Sequence, residues 1–365
     1  MATELDHLID RIRAAHATRS PLRLHGGGTK DFLGDAHVGE PLSTTAWRGI
    51  VSYEPSELVV TARAGTPLAE LEAVLAERGQ CLPFEPPHFG AGATVGGMVA
   101  AGLSGPARAS VGSVRDYVLG TTLVNGCGQT LVFGGQVMKN VAGYDVSRLM
   151  AGSLGTLALI AEVSLKVLPS APAECTLGFD DVPEAEALRR MNRWAGQPLP
   201  VNAAAWLDGH LWLRLRGARA AVLAATQLLA SEGARERSAD AAPWASLREQ
   251  THPFFARAAG ENLWRLSVAD TTPPLELGPT LIEWGGAQRW VRARPGDEAT
   301  ARLREAAARA GGHATRWRAA ESAPGESRAG AFAPLTPALL RIHQGLKREF
   351  DPAGIFGRGR LAPDF

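Results

Sequence analysis

The chain has 365 residues, 45% of them apolar and 21% charged, with a formal net charge of +1. That length accommodates two or three domains, and the near-neutral charge gives no basis for binding nucleic acid or an acidic membrane through bulk electrostatics. The three cysteines, Cys81, Cys127 and Cys175, form no C-x-x-C pair, which argues against a disulfide framework, a zinc site or an iron–sulfur cluster held by this chain.

Thiol usage fits a reducing cytoplasm. The polar start, Met1 to His7, does not look like a signal peptide, and no apolar run reaches the ~18 residues of a membrane span. Glycine and tryptophan divide the chain. Residues 90–155 hold 15 glycines, residues 171–330 hold 14, and eight of nine tryptophans follow residue 170. Pro169-Ser170-Ala171-Pro172 reads as a linker at that change. The expected domains are therefore 1–170, 171–330 and a tail, 331–365.

In chain order, a helix is predicted over Leu5–His16 and a strand over Pro21–Leu24, running into Gly26-Gly27-Gly28-Thr29. Strands follow at Gly49–Tyr53 and Leu58–Ala62. Thr66 as N-cap, Pro67 at the first helical position, an apolar face of Leu68, Leu71, Val74 and Leu75, and Gly79 as terminator define a helix. Tyr117–Val124 and Gln129–Phe133 flank Asn125-Gly126, a hairpin signal. Leu157–Val167 reads as a strand pair. The second part alternates strands and helices: a helix at Pro183–Ala195, strands about Asp208-Gly209, and a helix at Ala218–Ala230. Strands at Leu263–Val268, Leu281–Trp284 and Arg289–Arg294 follow, then a helix at Asp297–Ala310 and a strand at Ala314–Arg318. This resembles split β-α-β units with antiparallel pairing. Residues 319–330 read as a polar linker, and a tail helix ends near Phe350.

Three segments carry chemistry. Gly26–Thr29 follows a strand, and successive glycines let a turn present several N–H groups to one anion, such as a pyrophosphate. Pro86-Pro87-His88-Phe89-Gly90-Ala91-Gly92-Ala93-Thr94-Val95-Gly96-Gly97, continuing to Gly102, Gly105 and Gly112, fits neither G-x-G-x-x-G nor a P-loop. Its interleaved Val95, Met98 and Val99 argue for ordered backbone packed close to something. Lys139–Asp145 and Leu149–Leu157 form the third, where Lys139 can offset phosphate charge and Gly152 and Gly155 can admit a flat ring.

Together these blocks resemble the FAD-binding domain of the vanillyl-alcohol oxidase superfamily, also called PCMH-type. Within it, the family of the glycolate oxidase FAD-binding (E) subunit is the match. The resemblance rests on Ala93–Gly97, Ser113-Val114-Arg115-Asp116-Tyr117, Lys139–Asp145 and the tail Leu346–Phe356. It implies an α+β protein: a two-subdomain FAD domain plus a smaller, shortened α+β cap with an antiparallel sheet. It implies that Gly26, Gly27, Gly28 and Thr29 hold the FAD pyrophosphate. Thr94, Val95, Gly96 and Gly97 run along pyrophosphate and ribose, and Gly102 and Gly105 lie toward the flavin. Pro86, Pro87, Gly112, Ser113, Arg115, Asp116 and Lys139 continue the site, and Gly155 and Ile160 lie near adenine. Covalent members often carry a histidine after the glycine triplet. Thr29 stands there, so FAD is expected to be non-covalent.

The resemblance also implies partners: a catalytic FAD subunit and an iron–sulfur subunit of a glycolate dehydrogenase, attached at most peripherally to the inner membrane through them. The substrate is a small 2-hydroxy acid. No catalytic residue is assigned, and no two of the nine histidines are spaced as a metal pair. The resemblance also implies that the tail returns toward the flavin, where His343 or Arg360 could line a pocket; no role is assigned to either, or to His25. Trp206, Trp212, Trp264, Trp284 and Trp290 read as sheet core. A self-sufficient D-lactate-type dehydrogenase and a structural subunit without functional FAD are the alternative readings.

Overall fold

The chain opens with an amphipathic helix, Glu4–Thr18, started by a capping box between Thr3 and Asp6 and ended by Arg19 in the left-handed region. Leu8, Ile12 and Ala15 form its buried stripe. Strand Leu22–His25 follows and pairs in parallel with Glu40–Ser43. A five-stranded antiparallel sheet then runs in the order 50–54, 59–63, 159–166, 118–124, 130–134. Its central strand, Leu159–Lys166, is a single eight-residue strand rather than the expected pair. The Leu159–Leu165 stretch is buried except at Glu162, so it lacks the inside-outside alternation of a half-exposed strand.

The computed structural model describes residues 3–35, 38–135, 144–256, 260–320 and 330–362. Two compact units divide the chain. The first comprises Met1–Leu103, Ser113–Ser170 and Pro334–Phe365, and the second Ser104–Gly112 and Ala171–Ala333.

In the first unit the helix Leu68–Glu77 buries Leu68, Leu71 and Leu75. Its N-cap is Pro67 and not Thr66. Thr66 is fully buried, and its hydroxyl donates to the Gly49 carbonyl (3.1 Å) while accepting from the Gly49 N–H (2.9 Å). Two backbone groups of a neighbouring turn thus compete successfully for the capping oxygen.

The tail is welded into this unit. After helix Pro337–Phe350, Asp351 is 1% exposed. It accepts from Lys347 Nζ (2.7 Å) and from the N–H groups of Ile355 (3.0 Å) and Phe356 (2.8 Å). Lys347 also donates to the carbonyls of Thr156 (2.7 Å) and Phe356 (2.6 Å). Burial lowers its ammonium pKa, and Asp351 opposes that shift. Phe356 bridges Leu22 in parallel, and Ile355 and Phe356 complete the core of Leu8, Ile12, Leu22 and Leu159.

The second unit is an eight-stranded antiparallel sheet in the order 235–237, 173–179, 210–217, 201–207, 280–283, 288–293, 262–267, 313–318. Its first half follows the expected β-α-β-β-α-β sequence. The second half has three strands, Asn262–Ser267, Thr280–Glu283 and Gln288–Ala293, before its one long helix, Asp297–Arg309. The strands Ala173–Phe179 and Arg235–Arg237 are absent from the predicted elements; the first alternates apolar with polar or small residues, and the second is a three-residue edge strand. Leu177, Leu211, Leu213, Trp206 and Ile282 pack on helices Glu184–Ala195 and Arg219–Ser231. Trp264, Leu266 and Val291 pack on the third helix. Trp206, Trp264, Trp284 and Trp290 are buried, as core tryptophans should be, and Trp212 is half-buried.

Candidate functional site

A cleft lies within the first unit. Its floor is made where the strand Leu22–His25 runs into Gly26–Asp31. Its walls come from Thr94, Gly96, Gly97, Ala100 and Ala101, from Leu154, Gly155 and Ala158–Ile160, and from Thr44, Ala64 and Arg360.

The glycines serve two different purposes. A Cβ on Gly27 would fall inside the Gly92 carbonyl, and one on Gly26 inside the Thr94 hydroxyl. Those residues are glycine because two loops of the protein press together. Gly28 differs: its φ is +72° and a Cβ there would meet only the Asp31 carboxyl, no nearer than 3.4 Å. The left-handed turn at Gly28 aims successive amides to one side. Among the described residues, the N–H groups of Gly26, Gly27, Gly28 and Thr29 donate to no protein acceptor. A cluster of unused amides in a concave turn fits an anionic ligand group such as a diphosphate.

The helix Val95–Ala101 offers no comparable donors. Val95 N–H donates to the Thr66 carbonyl (2.9 Å), Gly96 N–H to the Ala64 carbonyl (2.8 Å), and Gly97 N–H to the Thr94 hydroxyl (3.2 Å). Gly96 and Gly97 line the cleft, but a Cβ on Gly96 would meet Ala64 at 2.6 Å and one on Gly97 the Thr94 hydroxyl at 3.0 Å, so internal packing already excludes side chains there.

Of the expected cofactor residues, Gly26, Gly27, Gly28, Thr29, Thr94, Gly96, Gly97, Gly155 and Ile160 line this one cleft. The others lie outside its lining. Val95 is in the core, and Pro86 and Pro87 are buried. Gly102 caps the helix at φ +66° against the Gly152 backbone. Gly105 and Gly112 fall in the second unit, where the Gly105 carbonyl accepts from Trp284 Nε1 (3.0 Å). Ser113 and Asp116 form a capping box. Burial opposes ionisation of Asp116, but the Ser113 N–H and hydroxyl hold its carboxyl below the ordinary value. Arg115 is exposed. Lys139 lies outside the described residues.

Four charged or titratable lining groups have no role assigned from the sequence: His25, Lys30, Asp31 and Arg360. Lys30 Nζ donates to the His88 carbonyl (3.1 Å) and the Thr29 hydroxyl (3.3 Å) and lies 5.5 Å from the Phe89 ring centre. Its position beside the glycine triplet was the available signal. Arg360 is 4% exposed. Its burial lowers the guanidinium pKa to about 10, against opposing attraction from Asp31 and Asp35, which leaves it cationic at neutral pH.

In the second unit, the sheet face turned away from the helices carries Arg214, Glu283, Gln288, Trp290 and Arg265. Glu283 accepts from Trp290 Nε1 (2.7 Å) and Gln288 Nε2 (3.0 Å). Burial pushes its carboxyl up to about 7, and those two bonds only partly oppose it. Arg265 stacks 4.6 Å from the Trp317 ring centre. Among the described residues, no group of three His, Cys, Asp or Glu side chains could hold a metal ion, and no helix is long and apolar enough to cross a membrane.

An α+β fold with a glycine-walled cleft and an amide nest at a strand end fits an FAD-binding flavoprotein. A family described as "FAD binding domain" matches residues 1–134, and FAD is the cofactor. The glycolate oxidase subunit GlcE of Escherichia coli (strain K12) is 45% identical over 365 residues, covering 99% of each chain. The chain belongs to the glycolate oxidase GlcE subunit family. A D-lactate dehydrogenase of Anaerostipes hadrus is 31% identical over 171 residues, 46% of this chain and 36% of that one. An alkyldihydroxyacetonephosphate synthase structure superposes with a TM-score of 0.66 at 16% identity, covering 95% of this chain and 73% of that one. That last likeness is one of fold.

Proposed function

We propose that this chain is the FAD-holding subunit of a glycolate-oxidising complex, accepting or relaying electrons beside a catalytic flavoprotein subunit and an iron–sulfur subunit. The observation that carries the reading is the 45% identity over 99% of both chains to a glycolate oxidase subunit. The amide nest supports it from the side of the cofactor. The complex is cytoplasmic, with any membrane attachment made through partners.

Bound FAD supplies a ring that takes up two electrons with a proton from a 2-hydroxy acid. The chain's own contribution is holding and shaping. The amides of Gly26–Thr29 take the diphosphate. Gly96, Gly97 and Gly155 admit the cofactor close to the backbone. Leu154, Ala158, Leu159 and Ile160 exclude water from one wall. Thr29 has no ring nitrogen to bond the flavin, so the cofactor is non-covalent. Oxidation of glycolate to glyoxylate also needs a base for the hydroxyl proton and a cation for the carboxylate, and in this reading the partner subunit provides them.

A second reading, a self-sufficient 2-hydroxy-acid dehydrogenase, is favoured by the likeness of 46% of the chain to a D-lactate dehydrogenase. One experiment separates the two. The purified chain should be yellow, and acid precipitation should leave its flavin in the supernatant. Anaerobic glycolate or D-lactate should bleach that flavin only when the partner subunits are present. Bleaching in the isolated chain at rates matching the complex overturns the accessory role, and flavin retained in the acid pellet overturns non-covalent binding.

A further inference from the structure

An amide nest carries partial charges only, whereas the diphosphate of FAD carries two full negative charges at neutral pH. The titratable groups lining the cleft are His25, Lys30, Asp31 and Arg360. The cations of that lining are Lys30, which is half-buried, and Arg360, which is buried. Arg360 lies more than three hundred positions from the nest in sequence, yet it is one of the cleft's walls.

Its guanidinium is placed by the backbone of the nest's own flank. Nη1 donates to the Asp35 carbonyl (2.9 Å) and Nη2 to the Asp31 carbonyl (3.2 Å). The Asp35 N–H in turn donates to the Arg360 carbonyl (3.1 Å). Two of its five N–H donors are used in this way, and the side chain is part of the cleft wall. The Asp31 side chain is drawn toward Arg23, 4.0 Å away. The position of Arg360 is set upstream by the tail: the buried Lys347–Asp351 pair, the Leu22–Phe356 bridge and the Gly357 turn at φ +52°. Such an anchored fork suits an oxyanion better than a mobile surface arginine does.

We infer that Arg360, delivered by the C-terminal tail, is a counter-charge of the diphosphate in the cleft, completing the site that Gly26–Thr29 begins. This rests on the reading of the cleft as the FAD site. It makes the tail part of the cofactor site as well as part of the core, and it gives the chain a reason to return to its first strand.

The test uses the full-length chain stripped of flavin and two probes that differ only by the diphosphate, ADP and adenosine. Binding is measured by calorimetry on the wild type and on Arg360→Gln, with circular dichroism and a thermal melt as fold controls. Arg360→Gln is expected to weaken ADP, and FAD on reconstitution, at least about tenfold, with adenosine changed less than about twofold. Equal losses for ADP and adenosine, or no loss for either, overturn the inference. If Gln at 360 prevents folding, Arg360→Lys carries the test. One ammonium in place of the fork should cost ADP about threefold and adenosine nothing, and equal losses again overturn the inference. A wild type that binds neither FAD nor ADP sinks the reading of the cleft itself, which is a separate outcome.

Discussion

The two units use opposite means to build an interior. In the first, backbone presses on backbone: Gly27 against Gly92, Gly102 against Gly152, Gly134 against Leu119. In the second, large and polar side chains fill the space: Trp264 and Trp317 are nearly fully buried, and Glu283 and Arg289 are buried with hydrogen-bond partners. A unit of the first kind can bring main-chain amides to a ligand but tolerates no added carbon. A unit of the second kind tolerates changes of shape but is sensitive to protonation. The cleft belongs to the first kind, which explains why its recognition chemistry is mostly main-chain.

The largest expected effect breaks the backbone approach. Gly27→Ala puts a Cβ into the Gly92 carbonyl, and neither partner is a flexible side chain that can swing away. It should cost roughly 3 kcal/mol or more and abolish FAD binding. Chemical denaturation and flavin absorbance read both effects. A variant with wild-type stability and flavin content contradicts the close packing.

A change in the second unit should act through pH instead. Glu283 has a folded pKa raised from 4.5 to about 7. The folded state therefore binds more protons than the unfolded state across that window, and stability falls as pH rises through it. The penalty is complete above about 7 and is on the order of 3 kcal/mol. Glu283→Gln keeps a group that can accept from Trp290 but cannot ionise. It should flatten stability between about pH 4.5 and 7 and raise it at pH 8, as denaturant titrations at both ends of the window would show. An unchanged pH slope contradicts the assignment.

The smallest effect separates support from recognition inside the first unit. Thr94→Ala removes the cap that accepts from the Gly97 N–H and should cost about 1 kcal/mol. FAD should still bind, because the amides of Gly26–Thr29 are untouched. Loss of FAD with the fold intact would assign the helix start a larger part than it has here.

The same contrast explains what the sequence made legible. The tryptophan and leucine patterns of the second unit gave its strands and helices nearly to the residue, since period and burial are local properties. Ala173–Phe179 is equally legible, with Ala173, Cys175, Leu177 and Phe179 alternating with Glu174, Thr176 and Gly178, though it is absent from the predicted elements. In the first unit the glycine blocks and their family likeness pointed to the cleft, yet density alone could not distinguish a glycine that faces a ligand from one that faces another loop. Gly105 and Gly112 look like the glycines beside them and belong to the other unit. Leu157–Val167 reads as a strand pair from its alternation, whereas Leu159–Lys166 is one strand buried on both faces, so periodicity alone does not fix how many strands the segment forms. Arg360 could be placed beside the cleft only through the family's returning tail, because its position depends on the tail's path, which no local pattern encodes.

The central claim is that unused amides of one loop, and not the start of the neighbouring helix, take the cofactor's diphosphate. Selective ¹⁵N-glycine labelling of the flavin-free chain, titrated with ADP, tests it at the atoms concerned. The amide resonances of Gly26, Gly27 and Gly28 should move strongly downfield, while those of Gly96 and Gly97, already bonded to Ala64 and Thr94, stay near their starting positions. Large shifts at Gly96 and Gly97 with the loop glycines unmoved would contradict it.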